Sequence, residues 1–396
     1  MGITRVEKIK EWFRSKVKIP RGVTIAICVL PVVLIGLFYL LRNSRVAMDW
    51  TTMYISLPIR RIFGLLSSIY PFSVMEVLAT FLIFFFIYYV IRAIVVTSRR
   101  REKWKLLGKR LLPLLIIALY LWSAFSWLWS SGLHATGFAE RYGLSSDGIA
   151  VQDLINVTEM FAERANELSQ LIERDEYGRP LEDQSAMFAA STQIFANISE
   201  EFPSLNGRLF APKPMIHSWL MSITGYAGMY FALTGEALIN VHQPSVFMPY
   251  TVAHEHAHQL GVFAEDEATF VGILASITSD DIVFQYAGYM SGLNRLLNAL
   301  ATVDGDAWHT IVGGFTHEVI RDRQEHFDFW TTRTQSNFGI NFIDNILTSL
   351  METASDTADA IYDSFLRRQN QELGIRTYGA SVDLIVQYFT RAGIME

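Results

Sequence analysis

The sequence predicts three membrane-spanning helices followed by an α+β, helix-dominant domain outside the membrane. Three observations carry that expectation. Apolar runs are long enough to cross a bilayer, the charge balance changes sign along the chain, and the remainder repeats apolar residues with a helical period broken by one strand-like stretch. The 396 residues hold 33 Lys and Arg against 39 Asp and Glu, a formal charge of −6, with 51 % apolar and only 18 % charged residues. Soluble domains average roughly 25 % charged. This composition excludes disorder, collagen and coiled coil. The single cysteine, Cys28, excludes a disulfide scaffold. Residues 1–133 have 19 basic and 5 acidic side chains, net +14, whereas residues 134–396 have 14 and 34, net −20, and all nine histidines. The expected division is therefore a membrane domain, 1–133, and an outer domain, 134–396.

Each span has its own signature. Val23–Leu41 is free of charge, and at 1.5 Å per residue its length is close to the ~30 Å hydrocarbon thickness. Pro31 lies inside it, which a membrane helix tolerates. Phe72–Ile91 carries one acid, Glu76, near its start. Leu111–Trp129 is uncharged and places Trp122, Trp127 and Trp129 toward its exit, where an amphipathic ring favours the interface. Lys and Arg concentrate before the first span and between the second and third, from Arg92 to Arg110. The positive-inside rule then makes the N-terminus cytoplasmic and residues 134–396 extracytoplasmic. The basic runs face anionic lipid, not nucleic acid. No small-residue cleavage site follows the first span, so it reads as an uncleaved anchor. Asp49–Tyr70 mixes apolar residues with Arg60 and Arg61. It reads as an amphipathic segment on the outer surface or as a plain connection.

In the outer domain, helices are expected at Val151–Glu173, Gln184–Phe202 and Met215–Ile223 from their periodicity. Met229–Ala232, a Thr234-Gly235 turn and Ala237–Val241 read as a hairpin. Helices resume at Tyr250–Leu260, with Gly261 as a stop, then at Glu265–Thr278, Asp281–Val303, Phe342–Arg367 and Val382–Arg391.

The chemistry concentrates in Thr251-Val252-Ala253-His254-Glu255-His256-Ala257-His258-Gln259. It contains HExxH. On a helix, His254 and His258 stand one turn apart on one face, so both imidazoles can bind one Zn²⁺. Glu255 sits where a general base for an attacking water is needed. His256 points about 200° away at 100° per residue, which suits a supporting or surface role. A hydrolytic zinc site uses a third protein ligand and keeps one position for water. Glu265, Asp266 and Glu267 follow directly. Glu265 shares its helical face with Ala268, Thr269, Gly272 and Ser276, small residues that let two helices approach. It is the preferred third ligand, with Glu267 the alternative. His309, His317 and His326 lack one-turn spacing and read as satisfied surface histidines.

The motif resembles zincin metallopeptidases, and Glu265-x-x-x-Thr269 after HExxH resembles the gluzincin arrangement, with Thr269 in place of the usual acid. Metzincin spacing would put the third ligand at Ala264, which cannot bind metal. The whole chain is similar to an uncharacterised bacterial family of three-span membrane proteins with an outer HExxH domain. Pro71-Phe72-Ser73, Gly235-Glu236-Ala237 to Asn240, His254–Gln259 with Gly261, and Glu265–Ala268 carry that likeness. The resemblance implies a bacterial cell-membrane protein with a zincin-like outer domain. It also implies a substrate-pairing edge strand at Ala237–Val241. An oxyanion donor is expected among Tyr230, Arg376 and Tyr378. The function expected is hydrolysis of peptide or protein bonds outside the cytoplasm by a zinc-activated water, with Glu255 as base. A non-catalytic zinc-containing sensor or binding protein is the alternative, and a membrane scaffold with an accidental motif is the third reading.

Overall fold

The structure is a computed structural model that describes residues 20–144, 148–181, 183–332 and 377–391. The expected helix at Phe342–Arg367 lies outside the described residues. Three helices are long and apolar enough to cross a membrane: Arg21–Leu41, Val74–Ser98 and Lys103–Leu133. Few of their apolar side chains are buried within the protein, as suits helices whose solvent is lipid.

The chain divides into two compact units. The first comprises residues 1–43 and 83–127. It is pinned by tyrosine and tryptophan donors. Pro31 has no N–H to offer the carbonyl four residues earlier, that of Ile27. The Tyr120 hydroxyl takes that place, 2.9 Å from the Ile27 oxygen. Trp127 Nε1 donates to the Leu34 carbonyl at 3.1 Å, and the Tyr89 hydroxyl to that of Arg110 at 2.8 Å. A buried carbonyl in hydrocarbon has no water to turn to, so such side-chain donors are what make the proline tolerable.

The second unit comprises residues 44–82 and 128–396. This differs from the boundary expected at 133/134, because Ser44–Leu82 packs into the large unit. Asp49 accepts both the N–H and the hydroxyl of Thr136, at 2.7 and 2.9 Å. The Ser56 hydroxyl donates to the Leu128 carbonyl at 2.7 Å. Both partners lie in widened π-type turns, Thr52–Ser56 and Ser126–Ser130, where the regular helical ladder is interrupted and a carbonyl is left for a side chain. Asp49–Tyr70 is therefore not a plain connection. It forms the helices Arg45–Thr51 and Leu57–Ser67, and Arg60, Gly64 and Ser67 of the latter are buried.

The core of this unit is helical. Val151–Ser169, Met248–Leu260, Glu265–Ile277, Ile282–Val303 and Thr377–Arg391 pack through Leu154, Phe161, Val252, Phe270, Leu293 and Ile385. The expected long helix at Gln184–Phe202 shortens to Gln184–Ala190, followed by a 3₁₀ turn at Ser191–Gln193. The strand-like stretch folds as a hairpin within a three-stranded sheet of order β1–β3–β2: β1 is Lys213–Pro214, β2 Gly228–Phe231 and β3 Glu236–Ile239. β2 runs antiparallel to β3, with Tyr230 opposite Ala237; β1 runs parallel to it, with Lys213 opposite Leu238. β3 is thus the central strand and cannot be the free edge expected at Ala237–Val241. The hairpin turn presses on the helix Leu57–Ser67. A Cβ on Gly235 would fall 2.4 Å from the Gly64 nitrogen.

Candidate metal centre

The HExxH segment forms the helix Met248–Leu260, in which every residue is buried. Its end is specific. Gly261 adopts φ +103, a left-handed conformation that a Cβ disfavours. The Val262 N–H returns to the Ala257 carbonyl at 3.0 Å, which satisfies an orphan carbonyl at the helix end. The same reversal brings the Val262 carbonyl within 2.7 Å of His258 Nδ1. A carbonyl only accepts, so Nδ1 carries a proton, and in the neutral imidazole Nε2 is the nitrogen able to bind a metal.

That nitrogen faces Glu265, the first residue of the helix Glu265–Ile277. Glu265 Oε2 lies 3.2 Å from His254 Nε2 and 3.5 Å from His258 Nε2. One ligand atom from each of His254, His258 and Glu265 falls within 4.8 Å of the others. A tetrahedral ion with ligand bonds of about 2.0–2.2 Å sets its ligands about 3.3–3.6 Å apart. Both histidine–carboxylate spacings are close to that edge, so the residues fit a zinc ion. The close helix approach depends on small residues, as expected. A Cβ on Gly272 would lie 2.9 Å from the His254 nitrogen.

The charges in this group are strongly coupled. Burial raises the Glu265 carboxyl, but the charge of His258 and hydrogen bonds with both histidines outweigh it and hold it well below the usual range. Burial lowers His254 despite the hydrogen bond to Glu265. Burial also works against the charged form of His258, yet Glu265 and Glu255 hold its pKa above the usual value.

Glu255 stands beside the trio. Its carboxylate accepts the main-chain N–H of Tyr230, and burial pushes its pKa up to about 8. One of its oxygens, Oε2, is buried with no hydrogen-bond partner. The strand that crosses it is β2: a Cβ on Gly228 would fall 2.7 Å from Glu255 Oε1. The Tyr230 N–H serves Glu255, so the outer edge of β2 lies against Glu255.

Glu267, the alternative ligand, turns away. Its two oxygens accept the N–H groups of Phe138 and Ala139, each at 2.8 Å, and burial raises its pKa to about 7. His256 is not at the surface. It is fully buried, with Nε2 2.9 Å from the Ser191 hydroxyl. Ser191 gives its own proton to the Phe188 carbonyl, so His256 donates. Burial lowers its pKa to about 3. His326 is partly buried under Phe247 rather than free at the surface. Tyr230 is placed near the site, whereas Arg376 and the side chain of Tyr378 lie outside the described residues.

Sequence reasoning missed Arg60. It is 1 % exposed. Its Nε donates to the Tyr230 hydroxyl at 3.0 Å and a terminal nitrogen donates to the His258 carbonyl. Its guanidinium lies over the rings of Tyr230, Phe263 and Trp129 at 4.5, 4.8 and 5.5 Å, a desolvated cation–π cage. Trp129 also meets the His258 ring edge-on at 5.3 Å. Behind Gly261 lies a cavity of about 980 Å³, lined in part by Asp49, His134, Val262, Phe263, Asp266 and Glu267.

A family model described as "Protein of unknown function (DUF3810)" matches residues 52–386. No curated protein and no solved structure matches the chain.

Proposed function

The chain belongs to that family, and we propose that it is a membrane-anchored zinc metallopeptidase acting on a peptide or protein outside the cytoplasm. The observation that carries this reading is the convergence of His254 and His258 on one oxygen of Glu265, 3.2 and 3.5 Å from their Nε2 atoms, next to a buried carboxylate that no ligand role requires. Zinc held by the three would supply a Lewis acid for a carbonyl oxygen and lower the pKa of a water toward 7. Glu255 takes the proton from the attacking water and later passes it to the leaving amine. The Tyr230 N–H orients that carboxylate. The position of β2 as an end strand of the sheet beside Glu255 supports the binding of an extended peptide by strand addition. Val262 fixes the His258 tautomer through its carbonyl, and Trp129 excludes water from one side of that ring. The Lys and Arg distribution supports a cytoplasmic N-terminus and an extracytoplasmic 134–396.

One observation favours a second reading, a non-catalytic zinc-containing sensor or binding protein. The site is closed: His254 is 9 % and Glu255 4 % exposed, and neither lines the 980 Å³ cavity. The experiment that separates the two is hydrolysis of a quenched-fluorescent peptide library by the full chain, with metal content measured on the same samples. The peptidase reading expects cleavage by the wild type, and retained zinc with lost cleavage for Glu255→Gln. Zinc in the wild type without any cleavage would favour the sensor.

A further inference from the structure

Two segments of the large unit, some 150 residues apart in sequence, are built inside out. The helix Leu57–Ser67 buries Arg60, Gly64 and Ser67 and exposes Ile62, Leu65 and Leu66. The short helix Ser218–Thr224 buries Ser218 and Ser222 and exposes Trp219 and Leu220, with Ile216 just before them. The inward hydroxyls are engaged. Ser218 donates to the Met215 carbonyl and accepts the Val241 N–H, and Ser222 bonds with Asn240. A helix against water turns its apolar stripe inward. The inverted pattern, repeated in two segments, says that the medium outside both is apolar.

Both segments are fastened to the first turn of Val74–Ser98. The Glu76 carboxylate accepts the N–H groups of Ile216 and His217 at 2.8 and 2.9 Å. Glu236, from β3, accepts those of Val74 and Met75, each at 2.8 Å. Lys213 links the two sides, donating to Glu236 and to the carbonyls of Ser67 and Phe72. The apolar run of that helix begins here, so this turn marks where the chain enters the bilayer. A patch fastened to it stands at the same height, and Trp219 is the residue type that favours the headgroup boundary.

We propose that the outward faces of Leu57–Ser67 and of the Ile216–Leu220 elbow form a lipid-binding pad that sits in the bilayer interface on the side of the large unit. The occupant is the bilayer crossed by Val74–Ser98, because the patch is continuous with that helix's entry point. The pad does not depend on the peptidase reading.

The test uses the single native cysteine. In a Cys28→Ser background, Leu66→Cys, Leu220→Cys and, as a water-facing control, Tyr177→Cys are spin-labelled in the full chain. The chain is reconstituted into phosphatidylcholine–phosphatidylglycerol vesicles. Collision with oxygen, which partitions into lipid, is compared with collision with a water-soluble nickel chelate. The oxygen-to-nickel ratio is expected to be severalfold higher at 66 and 220 than at 177. A ratio at 66 and 220 equal to that at 177 would overturn the proposal. So would labels at 66 and 220 shielded from both agents, the result of a pad covered by protein such as a second copy. Ile69→Cys replaces Leu66→Cys if the latter does not fold.

Discussion

His258 Nδ1 lies 2.7 Å from the carbonyl oxygen of Val262, four residues on. The contact exists because the chain reverses at Gly261 with φ +103. Gly261→Ala forces a Cβ into that conformation, where it also meets Leu57 at 2.9 Å. The expected result is loss of about 1–3 kcal/mol of stability and zinc affinity weaker by about 10- to 100-fold, although no ligand is removed. Zinc titration of the purified full chain checks this; unchanged affinity would mean that the Val262 carbonyl does not orient His258.

Glu265 and Glu267 are two residues apart and are expected to separate cleanly. Glu267→Ala leaves the Phe138 and Ala139 N–H groups unpaired. The expected cost is about 1–3 kcal/mol per orphaned donor, with zinc retained. Thermal unfolding with and without added zinc reads both quantities. Zinc lost selectively from Glu267→Ala would move the third ligand there.

Arg60 fastens the start of the large unit to the carbonyl end of the HExxH helix. Arg60→Met keeps the bulk among Trp129, Tyr230 and Phe263 but leaves the Tyr230 hydroxyl and the His258 carbonyl without their donors. A loss of about 1.5–3 kcal/mol per charged hydrogen bond is expected. Arg60→Lys should rescue little, since an ammonium lacks the planar fork that serves both acceptors. Full rescue by lysine in a chemical denaturation series would show that charge alone matters.

The Tyr120–Ile27 hydrogen bond answers a need that Pro31 creates. Tyr120→Phe is expected to cost about 0.5–1.5 kcal/mol. In a Pro31→Ala background the helix supplies its own donor at position 31, and the cost should fall toward zero. Equal costs in both backgrounds, measured by a double-mutant cycle in detergent micelles, would remove the proline from the explanation.

Much of this architecture is written locally. Long apolar runs with at most one charge give the three helices, because crossing hydrocarbon demands length and composition and little else. One-turn spacing gives His254 and His258, Gly261 marks the stop, and Ala268, Thr269 and Gly272 signal a close helix approach. What was not legible depends on partners far along the chain. Arg60 reads only as a charge interrupting an apolar stretch, because its acceptors lie 170 and 198 positions away. The spacing leaves His256 between a supporting and a surface role, because its partner is Ser191 on another element. The free edge was assigned to the second hairpin strand because the sequence shows a hairpin but not the third strand, Lys213–Pro214, that pairs on the far side of β3. The large unit is discontinuous for the same reason: Asp49 with Thr136 and Ser56 with Leu128 are pairings between segments that two apolar helices separate.

The most direct test is the zinc content of the full chain, purified in detergent with added zinc and then dialysed, for the wild type, Glu255→Gln, Glu265→Ala and His258→Ala. One zinc per chain is expected in the wild type and Glu255→Gln, and none in Glu265→Ala or His258→Ala. A wild type that retains no zinc, or a Glu265→Ala chain that retains all of it, would contradict the assignment of His254, His258 and Glu265 as the metal site.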